Sequence, residues 1–197
     1  MLILKIILWA SLVGIAYTYL GYPLIITALA RLRPRPHTTA DIEPTVSILV
    51  AAYNEEACIA AKIENSLALN YPQDKLELVV VTDGSTDRTP EIVRSFASRG
   101  VRLLHQPERQ GKPAAVERAF PLTRGEIVLF SDANCFFAPD VVRRLVRHFA
   151  DPTVGGASGA KRVLEEGETP SGKGEGLYWR YESYLKECDS VVGSVMG

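Results

Sequence analysis

Cysteine is scarce. The 197 residues carry three, Cys58, Cys135 and Cys188, an odd number at wide spacings that forms neither a disulfide framework nor a zinc or Cys-x-x-Cys redox motif. They read as thiols of a reducing compartment. Histidine is equally sparse: His37, His105 and His148 are scattered, and no His-Glu-x-x-His segment is present to hold a catalytic zinc. An excess of one charge is also missing. Lys plus Arg number 22 against 23 for Asp plus Glu, a formal charge of -1, so the chain as a whole attracts neither nucleic acid nor anionic lipid, and charge effects must be local. A P-loop is absent as well. Around Gly111-Lys112, position 106 is Gln where that motif needs glycine, and Pro113 stands where it needs Ser or Thr.

What is present is apolar. With 197 residues and 47% hydrophobic content, there is room for one buried domain and a terminal membrane segment, not for two ordinary domains. From Ile6 to Ala30 the sequence IILWASLVGIAYTYLGYPLIITALA has no charge. At about 1.5 Å per residue, a helix of that length exceeds a hydrocarbon layer of roughly 30 Å. Pro23 falls inside the run as a candidate kink, and Trp9, Tyr17, Tyr19 and Tyr22 add aromatics suited to headgroup level near its ends. A signal peptide, with Ala28-Leu29-Ala30 as its cleavage site, and a buried core helix are the alternatives. The run is long for the first and lacks the polar stripe of the second, so residues 1–31 are expected to be a retained transmembrane helix. Arg31, Arg33 and Arg35 outnumber Lys5 across the run, which places the downstream part in the cytoplasm. Residues 32–44, with Pro34 and Pro36, are expected to be a linker.

Beyond Pro44, apolar runs alternate with helical spacing. Strands are expected at Val46 to Ala52, Leu76 to Val81, Val101 to Leu104 and Ile127 to Phe130. Helices are expected at Glu55 to Leu69, after Thr89, after Gly111, and at Pro139 to Phe149. Strands that are apolar throughout imply an α/β fold with a mostly parallel sheet covered on both faces. Ligands of such sheets bind beyond the carboxyl ends of the strands, and polar residues gather there: Tyr53-Asn54-Glu55-Glu56, Asp83-Gly84-Ser85-Thr86-Asp87, Arg109-Gln110-Gly111-Lys112 and Ser131-Asp132-Ala133-Asn134.

Asp83 stands at the tip of a buried strand, where a carboxylate can accept hydrogen bonds from a base or ribose; Asp87 fits a turn or helix cap better. Asp132 and Asn134 offer two oxygen donors suited to Mg²⁺ or Mn²⁺, whose shells substrate phosphates and water complete; an Asp-Ala-Asn turn is the other reading. Gly111-Lys112 offers a cation and exposed backbone for phosphate, and equally reads as a surface turn.

AAYNEE, TDGSTD, QGK, SDAN and LYWRYESYLKE, in that order behind an apolar helix, resemble family 2 glycosyltransferases of GT-A fold, a Rossmann-like nucleotide-diphospho-sugar transferase architecture, here expected over 45–197. The resemblance implies an inverting enzyme that moves a sugar from a nucleotide-sugar, UDP-linked by preference, to a saccharide or lipid-linked acceptor at the cytoplasmic membrane face, for cell-envelope or extracellular polysaccharide. By the same resemblance Tyr53, Asn54 and Glu55 border the nucleotide, Asp83 with Gly84 and Ser85 holds base or ribose, Lys112 lies near the phosphates, and Asp132 with Asn134 takes the metal. Asn134 departs from the second Asp of many relatives. The family's general base and Gln-x-x-Arg-Trp motif are expected beyond Gly197, so a tethered, catalytically inactive nucleotide-sugar-binding module is an alternative. A sugar nucleotidyltransferase would need a glycine-rich basic loop after the first strand, where AAYNEE is acidic instead.

Val154 to Lys161 reads as a fifth strand or a loop, Glu165 to Gly176 as a polar connection, and Leu177 to Asp189 as an amphipathic packing helix on which Glu182 is a candidate substitute base. Arg143, Arg144, Arg147 and His148 read as a solvated helix face.

Overall fold

The computed structural model describes residues 1–159 and 170–193. Its contacts define two compact units, Met1–Thr38 with Thr153–Gly197, and Thr39–Pro152.

In the first unit the chain is helical from Leu2 to Leu32, with a mean hydropathy of 1.8 over an 18-residue window, long and apolar enough to cross a membrane. Helix α1 (Leu2–Ala16) passes into α2 (Tyr22–Leu32) through one π-helical turn at Tyr17–Gly21. Pro23 causes this break. It has no N–H to give the Tyr19 carbonyl and its ring crowds that oxygen, so the turn widens and the Tyr22 N–H reaches back to Tyr17. The Tyr181 hydroxyl donates to the released Tyr19 carbonyl at 3.2 Å.

Tyr181 belongs to the last helix among the described residues, Pro170–Val192, which closes on Gly193 in left-handed conformation at φ 89°. Residues 170–176, expected in a connection, are therefore helical, because a proline at the first helical position presets φ for the helix. Residues 165–169 lie outside the described residues. The amphipathic reading of Leu177 to Asp189 is met by packing on α2: Tyr22 Oη donates to Asp189 Oδ1 at 2.7 Å, and Thr27 Oγ1 and Tyr184 Oη share a hydrogen bond of 2.9 Å. Glu182 pairs with Lys186 one turn on, at 3.0 Å. Asp189 is only 3% exposed, and a buried acceptor stripped of its partner costs about 1–3 kcal/mol. Tyr22→Phe should therefore loosen this helix pair and expose the neighbouring buried Cys188. Faster alkylation of Cys188 by a thiol reagent is the expected result, and an unchanged rate would contradict it.

In the second unit, β1 (Val46–Ala52), β2 (Leu76–Asp83), β3 (Arg102–Gln106) and β4 (Ile127–Asp132) form a parallel sheet in the order β3-β2-β1-β4. Between them lie α3 (Ile59–Leu67), α4 (Thr89–Ser95) and α5 (Lys112–Ala119), and α6 (Val141–Val146) follows. Alternate strand residues feed two cores. Ile48, Val50, Leu78 and Val80 pack with Ile59 and Ile63 of α3, Val93 of α4, and Val142 and Val146 of α6. Leu49, Val79 and Val81 pack with Ala115 and Ala119 of α5. Both faces are covered, as the apolar strands require. At the amino end, Gly125 lets β4 approach β1, since a Cβ there would sit 2.4 Å from the Ser47 nitrogen.

Several boundaries differ from the sequence reading. β2 and β4 run on to Asp83 and Asp132, so these carboxylates are the last strand residues rather than loop residues. β3 is displaced toward Gln106 because its ladder to β2 starts at Arg102 opposite Val79. The helix expected over Pro139 to Phe149 is α6 followed by a 3-10 turn, Arg147–Ala150. Residues 154–159 form no strand, which favours the loop reading; 160–161 lie outside the described residues.

Candidate functional site

The order β3-β2-β1-β4 makes the chain leave β1 toward β2 and return on its other side as β4. The rim between β1 and β4 is thus the topological switch point where ligands of open α/β sheets bind. The register sets the heights of the side chains there. Ala51 is level with Val81 and with Asp132, and Asp83 follows two residues after Val81. By the period of two, Ala51, Tyr53, Val81, Asp83 and Asp132 share the α5 face of the sheet. Two strand spacings, about 10 Å, separate β2 from β4, within the span of one nucleotide-sugar. A recess of ≈ 310 Å³ opens at this place, lined among others by Tyr53, Glu55, Asp83, Arg109, Lys112, Asp132 and Asn134.

Asn54, Gly84 and Ser85 are not among the lining residues. They fasten the first two loops together. Asn54, at φ 54°, accepts from the Thr86 N–H at 2.8 Å through Oδ1 and donates to Thr86 Oγ1 at 3.3 Å through Nδ2, while its own N–H meets Ser85 Oγ at 3.3 Å. The Glu55 N–H donates to Thr89 Oγ1 at 2.8 Å, the Glu56 N–H to Asp87 Oδ2 at 3.0 Å, and the Arg88 N–H to Glu56 Oε2 at 3.0 Å. Next to this clasp, helix α3 begins at Ile59 rather than Glu55, after a turn in which the Glu55 carbonyl accepts the N–H groups of Cys58 at 3.0 Å and Ile59 at 2.9 Å. Asp87 caps the start of α4 through the Thr89 N–H at 3.0 Å, the turn-and-cap role expected of it.

Asp83 is 5% exposed. Its Oδ2 accepts the N–H groups of Gln110 at 2.8 Å and Gly111 at 2.6 Å, and its Oδ1 accepts from Arg118 of α5 at 3.3 Å. Burial alone would raise its carboxyl pKa, but these donors outweigh it and hold the group below the usual carboxylate range. The amides before Lys112, expected to face a phosphate, are therefore taken by Asp83. A carboxylate has about four acceptor sites, so one remains for a ligand. Gly84 is required for close approach: at φ 68°, a Cβ there would lie 2.8 Å from the Arg109 backbone nitrogen. That approach brings the Arg109 guanidinium to 3.8 Å from the centre of the Tyr53 ring, a cation–π stack at the mouth of the recess. The Cys58 thiol donates to Glu55 Oε2 at 3.1 Å, and burial with this carboxylate pushes its pKa up to about 11, so the thiol is inert.

On the other side, Lys112 Nζ donates to Asp132 Oδ1, with both side chains at least half exposed. Asp132 and Asn134 are hard oxygen donors at one recess. Among the described residues no group of three or more His, Cys, Asp or Glu gathers, so a cation held here would share its shell with phosphate oxygens, which is how Mg²⁺-type ions are usually held. The residues fit such an ion. Beneath the loop lies Lys62 of α3, 0% exposed. Its Nζ donates to the Cys135 carbonyl at 2.5 Å and stands 3.5 Å from the centre of the Phe137 ring. Burial lowers its pKa to about 8 against the opposing pull of Cys135 and Asp132.

Arg109, Arg118 and Lys62 were not singled out as functional from the sequence. Lys62 carries a usable signal, for Ile59, Lys62, Ile63 and Ser66 have the i, i+3, i+4, i+7 spacing of one helix face, and all four are buried. A larger depression of ≈ 540 Å³, beside the stacked rings of Phe120 and Phe130, is almost wholly apolar. The polar and charged side chains gather at the smaller one.

The comparisons with known proteins agree with this geometry. The chain is 31% identical over 197 residues to a beta-monoglucosyldiacylglycerol synthase of Nostoc sp., covering 98% of this chain and 42% of that protein. It is 32% identical over 156 residues to the synthase of the same name from Synechocystis sp., covering 77% and 33%. The chain therefore spans about two fifths or less of the length of these relatives. A mannosyltransferase from Pyrobaculum calidifontis, solved in complex with GDP-Man and Mn²⁺, superposes with a TM-score of 0.71 at 32% identity, covering 91% of this chain and 50% of that one. The GT-A architecture is thus met by the parallel sheet and by this likeness. The family profile described as glycosyl transferase family 2 matches residues 47–194, and with the loops that carry its motifs closing on one rim, the chain belongs to glycosyl transferase family 2.

Proposed function

We propose that residues 39–152 form the donor-binding unit of an inverting glycosyltransferase that takes a nucleoside-diphosphate sugar, UDP-linked by preference, together with Mg²⁺ or Mn²⁺. The observation that carries this reading is the convergence of Tyr53, Asp83, Lys112 and Asp132, each at or just beyond the carboxyl end of a different strand, on one recess. The Tyr53–Arg109 stack offers a planar platform for the base, Asp83 keeps one acceptor site for base or ribose, and Lys112 is free to exchange Asp132 for phosphate oxygens. A bound cation would be held by Asp132 and Asn134 and would supply charge neutralisation to the leaving diphosphate. The GDP-Man and Mn²⁺ in the Pyrobaculum mannosyltransferase support both the donor class and the ion.

The lining carboxylates already have partners: Asp83 the loop amides, Asp132 Lys112, and Glu55 the Cys58 thiol. We therefore place the base that deprotonates the acceptor hydroxyl outside this unit. A lipid-linked acceptor at the membrane fits the apolar Leu2–Leu32 helix and the diacylglycerol glycolipids named in the relatives. Arg31, Arg33 and Arg35 favour the cytoplasmic face of a bacterial inner membrane, where the product would serve the cell envelope or an extracellular polysaccharide. Calorimetric titration of the chain with UDP, and in parallel with GDP, tests the reading. Binding in Mn²⁺ that EDTA weakens is expected, and no binding of either nucleotide in Mn²⁺ would refute it.

A further inference from the structure

The segment after β4 carries Asn134 and is neither strand nor helix; within it the Cys135 N–H donates to the Asp132 carbonyl at 3.2 Å. Helix α3 holds it instead. Lys62 Nζ takes the Cys135 carbonyl at 2.5 Å, Asn65 Nδ2 donates to the Phe137 carbonyl at 3.0 Å, and the Phe137 N–H returns to Asn65 Oδ1 at 2.8 Å. Just past α3, the Asn70 N–H donates to the Pro139 carbonyl at 2.8 Å. Three side-chain bonds from adjacent turns of one helix thus grip the backbone at two residues spaced i and i+2.

We propose that Lys62 and Asn65 are positioning residues for the cation site: they fix the 133–137 backbone from below so that Asp132 and Asn134 present their oxygens together to the recess. This rests on the reading of Asp132 and Asn134 as cation ligands given above. Burying a lysine is unfavourable unless its ammonium is satisfied, and an apolar side chain would fill the space between Ile59 and Ile63 without that cost. The ammonium has a specific task, since the Cys135 carbonyl faces inward and an unpaired buried carbonyl is itself costly. Groups that orient ligands from outside the coordination shell typically govern about 10–100-fold of metal affinity.

The test uses the full chain in detergent, titrated with UDP and GDP in Mn²⁺ and again in EDTA, for wild type, Lys62→Met and Asn65→Ala. The expected result is a split. Both variants lose about tenfold or more in Mn²⁺ but keep the wild-type affinity in EDTA, because Tyr53, Arg109 and Asp83 are untouched. Equal losses in both conditions would mean general damage and overturn the proposal; so would wild-type affinity in Mn²⁺ for both variants. Should Lys62→Met fail to fold, Asn65→Ala decides by the same split. A wild-type chain that binds neither nucleotide in Mn²⁺ removes the cation-site reading and this proposal together, whereas wild-type binding with no split removes the proposal alone.

Discussion

Asp132→Ala is expected to weaken Mn²⁺-dependent nucleotide binding about 100-fold, or ~2.7 kcal/mol, while moving the melting temperature by less than about 2 °C. The two effects separate because of where Asp132 stands. It ends β4 with a side chain 51% exposed, and its partner Lys112 is 63% exposed, so the ion pair is solvated and contributes little to folding. The same exposure leaves its oxygens accessible to a cation that displaces Lys112. Removing it leaves Asn134 as the remaining oxygen donor beside the phosphates, and a lone neutral amide holds a hard divalent ion poorly. Calorimetry in Mn²⁺ with a parallel thermal melt measures both quantities. Undiminished affinity would exclude Asp132 as a ligand, and a large fall in melting temperature would show that its role is structural.

Asp83→Ala should lose both binding and stability. Its buried carboxylate accepts two loop N–H groups and Arg118, and Ala strands these donors at a cost of about 3 kcal/mol. The loop from Arg109 to Lys112 then loses its anchor, and with it go the platform on Tyr53 and the placement of the Lys112 ammonium. Nucleotide binding should vanish with or without Mn²⁺, unlike the Asp132 variant. The pH dependence has a definite sign. Because the folded-state pKa of Asp83 is lowered, its contribution is fully present above the unfolded value of about 4 and fades as pH falls through the folded value. Denaturant melts between about pH 5 and pH 3 should show wild type losing stability more steeply than Asp83→Ala; parallel slopes would refute the anchor.

The strands β1, β2 and β4 were legible because each is an apolar run that a parallel sheet buries on both faces, and Asp83 and Asp132 stood out as carboxylates closing such runs. The division of labour at the rim was not legible. Asn54, Gly84 and Ser85 sit beside the site yet serve the clasp and the close approach of Arg109, and that depends on loops about thirty residues apart in sequence meeting in space. Local pattern carries no trace of it. The start of α3 is likewise hidden, since Glu55 and Glu56 have good helix propensity yet the helix starts only at Ile59, after a turn closed by the Glu55 carbonyl. Lys62 is hidden because a lysine on a helix ordinarily reads as solvated, although its spacing to Ile59 and Ile63 puts it on the buried stripe. The docking of the Pro170–Val192 helix on α2 hangs on Tyr22, Tyr184 and Asp189, three residues that gain meaning only as partners.

In the proposed site, strand ends on both sides of β1 hold one nucleotide and one cation. Anomalous diffraction from crystals of the chain grown with UDP or GDP and Mn²⁺ tests it most directly. A manganese peak bonded to Asp132, Asn134 and the nucleotide phosphates, with the base beside Tyr53 and Arg109, is the expected result. A nucleotide bound away from the β1–β4 rim, or a peak that touches neither Asp132 nor Asn134, would contradict the account.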